Sequence, residues 1–228
     1  MKTALMEAFL LIFEGNRQLG IIIATTLKMV ISSSAIALII GAPLGVLLGS
    51  CRSRIKGALV TVNRTLMGLP PVVVGLVCYM LFSGVGPLRH LRLLYTVEGM
   101  VIAQVILLTP LIIGSMETHV STIAPSIRET AVGLGLRRGK QMLLLMNESG
   151  YQLVSAYLLG LGRAFAEVGA VSMVGGAIVY KTNVMTTAIM NYTNMGNFTT
   201  ALALGIILLL IALVLNIAAS LIQWRLRL

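Results

Sequence analysis

The sequence predicts an all-α, polytopic membrane protein with five core transmembrane helices. Three observations predict it. Hydrophobic residues make up 57% of the chain and charged residues 11%, against about 25% charged residues in a soluble domain. The apolar residues gather in runs that meet or exceed the ~20 residues a helix needs to cross a bilayer. Basic residues collect in alternate connections, as they do on the cytoplasmic side of membrane proteins.

Residues 1–17 read as an N-terminal interfacial or periplasmic segment. The run "ALMEAFLLIF" is apolar but contains Glu7, and "EGNRQ" follows it without a small-residue cleavage site, so it is not a secretory leader. It is too short to span and suits a helix lying in the interface.

Five spans follow at about 19–50, 65–83, 99–117, 152–178 and 198–222. The first is longer than a bilayer requires and so tilts or projects. The last has no charge inside it. The link between spans one and two carries Arg52, Arg54, Lys56 and Arg64. The link between three and four carries Arg128, Arg137, Arg138 and Lys140, and the tail at 225–228 carries Arg225 and Arg227. That is ten basic residues on one side. Lys2, Arg17, Lys28, Arg89, Arg92 and Lys181 make six on the other, with Arg163 inside a span. The bias places the N-terminus outside and the C-terminal tail in the cytoplasm. It also accounts for the net charge of +10 without a nucleic-acid partner, because no basic patch is interleaved with aromatic residues.

Proline and glycine punctuate the spans. Gly41, Pro43, Gly45 and Gly49 lie in the first, Gly68, Pro70, Pro71 and Gly75 in the second, and Pro110 in the third. Small residues let helices pack closely, and proline bends them where neighbours re-satisfy the freed carbonyls. Ordinary helix packing and a set of bent helices lining a path both fit this pattern.

Between spans three and four the chain turns polar for about 34 residues, 118–151, which is long for a loop. A helix start is expected at Ser121, with Pro125 near its first turn and Ser126 as a cap. Gly133 and Gly135 then act as a hinge. A second amphipathic helix follows, with Arg137, Arg138 and Lys140 polar and Met142, Leu143, Leu145 and Met146 apolar. On its own terms this segment suits the surface of an anionic membrane.

It also resembles the coupling loop of importer-type ABC-transporter permeases. Their pattern runs Glu-Ala-Ala, three residues, Gly, nine residues, Ile-x-Leu-Pro. Here Glu129-Thr130-Ala131 stands for the triplet and Gly135 falls in place. Leu145-Met146-Asn147-Glu148 occupies the final element without its proline. "GRAFAEVGAVSMVGG", from Gly162, is similar to the segment that follows the loop in molybdate- and tungstate-type permeases. "GLPPVVVGL", "GPLRHLRLLYT" and "TTAIMNYTNMGNFTTALALG" resemble the tungstate type. The resemblance covers residues 18–224 as one transmembrane domain with its coupling loop at 121–148. It implies a homodimer in the plasma membrane of a prokaryote. It also implies two copies of a separate ATP-binding subunit docked on the loop, and an oxyanion-binding protein, periplasmic or lipid-anchored, outside. The cargo implied is tungstate, with molybdate or sulfate as alternatives. Glu129 would anchor the docked helix, Thr130, Arg137 and Arg138 would flank it, and Ala131 and Gly133 would suit close approach. The chain itself would bind no cofactor, and ATP and Mg would belong to the partner.

Arg163 and Glu167 stand four apart in span four and are read as a mutual ion pair, a pair across the two-fold of a dimer, or a gate. Lys28, a third of the way into span one, is expected to snorkel outward. His90 and His119 are read as polar residues at connections without a third metal ligand. Cys51 and Cys78 make neither a metal site nor an expected disulfide. The Thr-rich stretch 181–200 is expected to contain a short helix near Thr186–Tyr192. Thr186, Thr187 and Asn191, with Pro70 and Pro71, are candidates for the translocation path, and capping of helix ends is the alternative role for the threonines. No nucleophile–base pair appears in a span and no Walker motif is present, so ATP must act through a partner. A self-contained channel or secondary transporter is the rival class, and it has no use for the basic loop.

Overall fold

Long apolar runs leave the backbone one solution in a membrane, which is to close its hydrogen bonds within a helix. The protein follows that rule. A computed structural model describes residues 17–225, with Arg138, Ile222 and Arg225 described by backbone alone. The expected interfacial helix at 4–13 and the end of the basic tail lie outside the described residues.

The described helices are α1 Arg17–Ser50, α2 Lys56–Met67, α3 Pro71–Phe82, α4 Val97–Gly133, α5 Arg138–Glu148, α6 Gly150–Phe165, α7 Gly169–Gly175, α8 Met185–Asn194 and α9 Phe198–Arg225. A single 3-10 turn, Arg89–Leu91, sits between α3 and α4, and no strand forms among the described residues. By length and composition α1, α4 and α9 each cross a membrane. Five crossings are reached when α2 with α3, and α6 with α7, each count as one broken span. Only 22% of the apolar window of α9 is buried, so most of its leucines need an apolar medium around them.

Two expectations are corrected. The third span does not stop near residue 117, and no new helix begins at Ser121. α4 runs unbroken for 37 residues with Pro110 and Pro125 inside it. A proline removes one helical hydrogen bond and adds a ring clash, and a helix bonded on both sides tolerates that. Second, span four, read as continuous, is interrupted at Ala166–Val168, whereas span two breaks at Gly68–Pro70, where proline and glycine punctuate it. Pro71 occupies the first position of α3, where its missing N–H is no loss.

The chain forms two compact units. The first comprises the stretches up to Ser33, from Pro70 to Gln104 and from Gly162 to Ile217. Its core gathers Leu19 and Ile22 of α1, Met185 and Ala188 of α8, and Ala203, Leu204 and Ile207 of α9. Thr26 joins the same elements by polar contact. Its hydroxyl donates to the Ile22 carbonyl at 2.6 Å and accepts the Met185 N–H at 2.9 Å, so the first turn of α8 is satisfied from α1. Gln104, fully buried, accepts from the Ser33 hydroxyl at 2.6 Å and donates to the Ala164 carbonyl at 3.1 Å.

The second unit comprises Ser34–Leu69, Val105–Leu161 and the stretch from Ala218. Its central crossing is α1 on α4. Gly41, Gly45 and Gly49 recur every four residues and so form one stripe on α1. They face Ile112, Met116 and Val120, which recur every four residues on α4. A methyl group at Gly45 would sit 2.5 Å from Met116 Cβ and 2.9 Å from the Ile113 carbonyl oxygen. The backbones meet there without room for a side chain.

Candidate functional site

The polar segment is built on the end of α4. Leu136 N–H bonds the Ala131 carbonyl at 2.9 Å and Gly135 N–H bonds the Val132 carbonyl at 2.9 Å. Gly135 has φ +65°. These two bonds and the left-handed residue between them make a Schellman terminus, which stops a helix and turns the chain sharply. α5 then starts at Arg138, held back onto the turn by the Gln141 side-chain amide, which donates to the Leu136 carbonyl at 2.8 Å. It ends at Glu148. Ser149 closes it by donating its hydroxyl to the Leu145 carbonyl at 2.7 Å, one residue after Glu148, which stands where the family pattern has proline.

Glu129, Thr130, Gly133, Gly135 and Arg137 are exposed on this terminus. Ala131 is not available for a close approach by another protein, because it is fully buried within the chain. The Arg138 side chain lies outside the described residues.

Within the chain Arg163 and Glu167 do not pair with each other. α6 ends at Phe165, so the two do not share a helical face. Arg163 is exposed, whereas Glu167 is buried. The Glu167 carboxylate instead accepts the Ala170 N–H at 3.1 Å at the start of α7, and its carbonyl accepts the Thr186 hydroxyl at 3.1 Å. Glu167 therefore fastens the break in span four to α8. Glutamine supplies the same acceptor without the charge. Glu167→Gln is expected to keep the thermal midpoint of the purified protein near wild type. Glu167→Ala is expected to cost about 1 kcal/mol, the usual loss of a helix-end acceptor. Equal damage from both would restore a role for the charge.

The path candidates lie in the first unit. Pro70 is exposed, and Pro71 and Asn191 are half-buried. Thr186 and Thr187 are buried with their hydroxyls engaged. Thr187 donates to Asn183 Oδ1 at 2.9 Å and accepts the Val184 N–H at 3.0 Å. In this conformation the threonines cap and tie α8. Lys28 lies 3.5 Å from Glu98, with both side chains largely exposed. His90 lies in the 3-10 turn and is exposed. His119 lies inside α4, not at a connection, and its Nε2 is buried without a hydrogen-bond partner. No group of three metal-ligating side chains occurs among the described residues.

Sequence reading missed a polar cluster in the second unit. Lys56 Nζ donates to the Gly49 carbonyl at 2.8 Å and lies 3.7 Å from the buried carboxylate of Glu117. Asn63, also buried, donates to the Pro110 carbonyl at 3.1 Å. Arg128 donates to the Ser50 carbonyl at 3.1 Å. The available signal was Glu117 itself, a carboxylate at the end of an apolar run, where a partner is needed.

Broken and unbroken helical crossings, joined by one exposed helical segment at the end of the longest, define the class as a polytopic α-helical permease domain. The model of the family "Binding-protein-dependent transport system inner membrane component" matches residues 41–228, and the chain belongs to that family. It is an ABC importer permease, a transporter subunit rather than an enzyme, and ATP hydrolysis is carried by a separate subunit. The chain is 36% identical to a probable anion ABC transporter permease protein of Haloferax volcanii, over 84% of this chain and 86% of the relative. It is also 36% identical to the tungstate uptake system permease protein TupB of Peptoclostridium acidaminophilum, over 81% of each. Molybdate and sulfate permeases are more distant. Among solved structures, a bacterial ABC transporter that imports the acidic polysaccharide alginate shares the fold, with a TM-score of 0.66 over 96% of this chain and 83% of that one at 18% identity.

Proposed function

We propose that the chain is the permease subunit of a tungstate importer and works as a homodimer, N-terminus outside and C-terminus in the cytoplasm. The observation that carries the cargo is the greater similarity to tungstate than to molybdate and sulfate permeases. Two ATPase subunits dock on the segment Arg128–Asn147, where Glu129 and Arg137 are exposed. Closure of the ATPases moves α4 and α5 and opens the path outward to a loaded binding protein, which supplies the affinity. Pro70, Pro71 and Asn191 border the path, with Thr186 and Thr187 fixing α8 behind it. ATP and Mg are bound by the partner, and this chain holds no cofactor of its own.

The test is uptake of labelled tungstate into proteoliposomes containing the chain, its ATPase and its binding protein. Uptake is expected to require ATP, to fall with excess molybdate and to persist in excess sulfate. Glu129→Ala is expected to lower the rate about tenfold, the effect of ~1.4 kcal/mol of lost docking. Uptake without ATP would replace this reading with a channel or secondary transporter. Sulfate competing as well as molybdate would move the cargo to another oxyanion.

A further inference from the structure

The second unit holds a cavity beside the segment proposed to dock the ATPase. It has a volume of about 560 Å³ and lies among the end of α1, the connection after it, the end of α4 and the start of α5. Arg52 and Arg128 line it, with the hydroxyls of Ser50 and Ser53, and no carboxylate does. The Arg128 guanidinium is fixed at its rim by the Ser50 carbonyl at 3.1 Å. Among the described residues neither arginine has a carboxylate within 4.0 Å. Two cations held around one concavity repel each other unless an anion sits between them.

A second concavity adjoins this one. It is apolar, about 510 Å³, and is lined by Leu44, Leu47, Leu59, Val62 and Leu66. Cys51 lines both. A small hydrated anion uses only the first. An anion joined to a hydrocarbon chain uses both, with the charge at the arginines and the chain among the leucines. Basic pockets beside apolar grooves at the membrane surface hold acidic lipid headgroups in this way.

We propose that Arg52 and Arg128 form a site for an anionic phospholipid, the phosphate held by the two guanidiniums and the Ser50 and Ser53 hydroxyls, and an acyl chain lying along α1 and α2. The lipid bridges the end of α1 to the start of α5 and so steadies the terminus of α4. Binding of lipid does not depend on which cargo is carried.

Native mass spectrometry of the complex with its ATPase tests this. The complex is released from micelles containing phosphatidylglycerol and phosphatidylcholine of equal chain length. Phosphatidylglycerol is expected to be retained preferentially. Each arginine removed is expected to lower that retention about fivefold, so Arg52→Gln/Arg128→Gln loses it. Arg128→Lys, which keeps the charge, is expected to keep most of it. Arg54→Gln removes a charge from the same connection without touching the cavity, and it is expected to leave retention unchanged. Equal retention of both lipids, or equal loss in Arg54→Gln, overturns the site. So does retention abolished by Arg128→Lys as fully as by Arg128→Gln, which would mark a packing role. Displacement of phosphatidylglycerol by millimolar inorganic phosphate or tungstate would identify a free-oxyanion site and overturn the lipid assignment.

Discussion

Gly135→Pro is expected to abolish ATP-driven uptake while the chain still inserts in the membrane. The left-handed φ of +65° at Gly135 is closed to proline, whose ring holds φ near −65°. Proline also removes the N–H that bonds the Val132 carbonyl at 2.9 Å. The Schellman terminus is lost, and α5 leaves α4 in a different direction. The demand is conformational rather than steric, because a Cβ at Gly135 meets nothing within 4 Å. A graded series follows. Asparagine, which tolerates the left-handed region, is expected to retain most activity. Alanine is expected to cost about 1–2 kcal/mol, a loss of roughly tenfold in the population of the docking-competent turn, and valine more. Uptake and binding-protein-stimulated ATP hydrolysis, measured together, separate loss of docking from loss of the path. Asparagine and alanine behaving alike, or proline transporting normally, would show that the turn is not the coupling element.

Gly45→Ala is expected to be the most destabilising methyl group that can be added to the second unit. The added carbon would lie 2.5 Å from Met116 Cβ and 2.9 Å from a backbone oxygen, and a backbone cannot swing aside as a side-chain tip can. Overpacking of this kind costs about 1–3 kcal/mol, and a larger residue such as leucine is expected to prevent recovery of folded protein. Gly20→Ala serves as the control, since nothing lies within 4 Å of that position. Thermal unfolding in detergent should show a clear drop for Gly45→Ala and almost none for Gly20→Ala. Equal midpoints would mean that α1 and α4 separate readily and that their close crossing is not required.

Much of the fold was legible because a membrane leaves few options. The apolar runs gave α1 and α9 nearly to their ends, and the polar segment gave α5 and the turn at Gly135. The errors share a cause. Pro125 was read as a start signal, yet α4 passes straight through it, because local preference yields to a helix already bonded on both sides. Span four was read as continuous, so Arg163 and Glu167 were placed on one face. The break is made by Glu167 turning inward to Ala170 N, a contact that no periodicity displays. Capping was one of the two roles read for Thr186 and Thr187, but their acceptors, Glu167 and Asn183, are chosen by folding. Lys56 and Glu117 are 61 positions apart in the chain, and neither announces the other.

Under the docking proposed for Arg128–Asn147, the unbroken course of α4 is one arm of a lever. At 1.5 Å per residue the part of α4 within the second unit, from Val105 to Gly133, extends about 44 Å, so each degree of tilt imposed at one end of it sweeps the other through about 0.8 Å. A helix that began afresh at Ser121 would have spent that tilt in its own joint. Pro110 and Pro125 are the two points where the arm is softest, and its mechanical advantage is set by how far each of them yields.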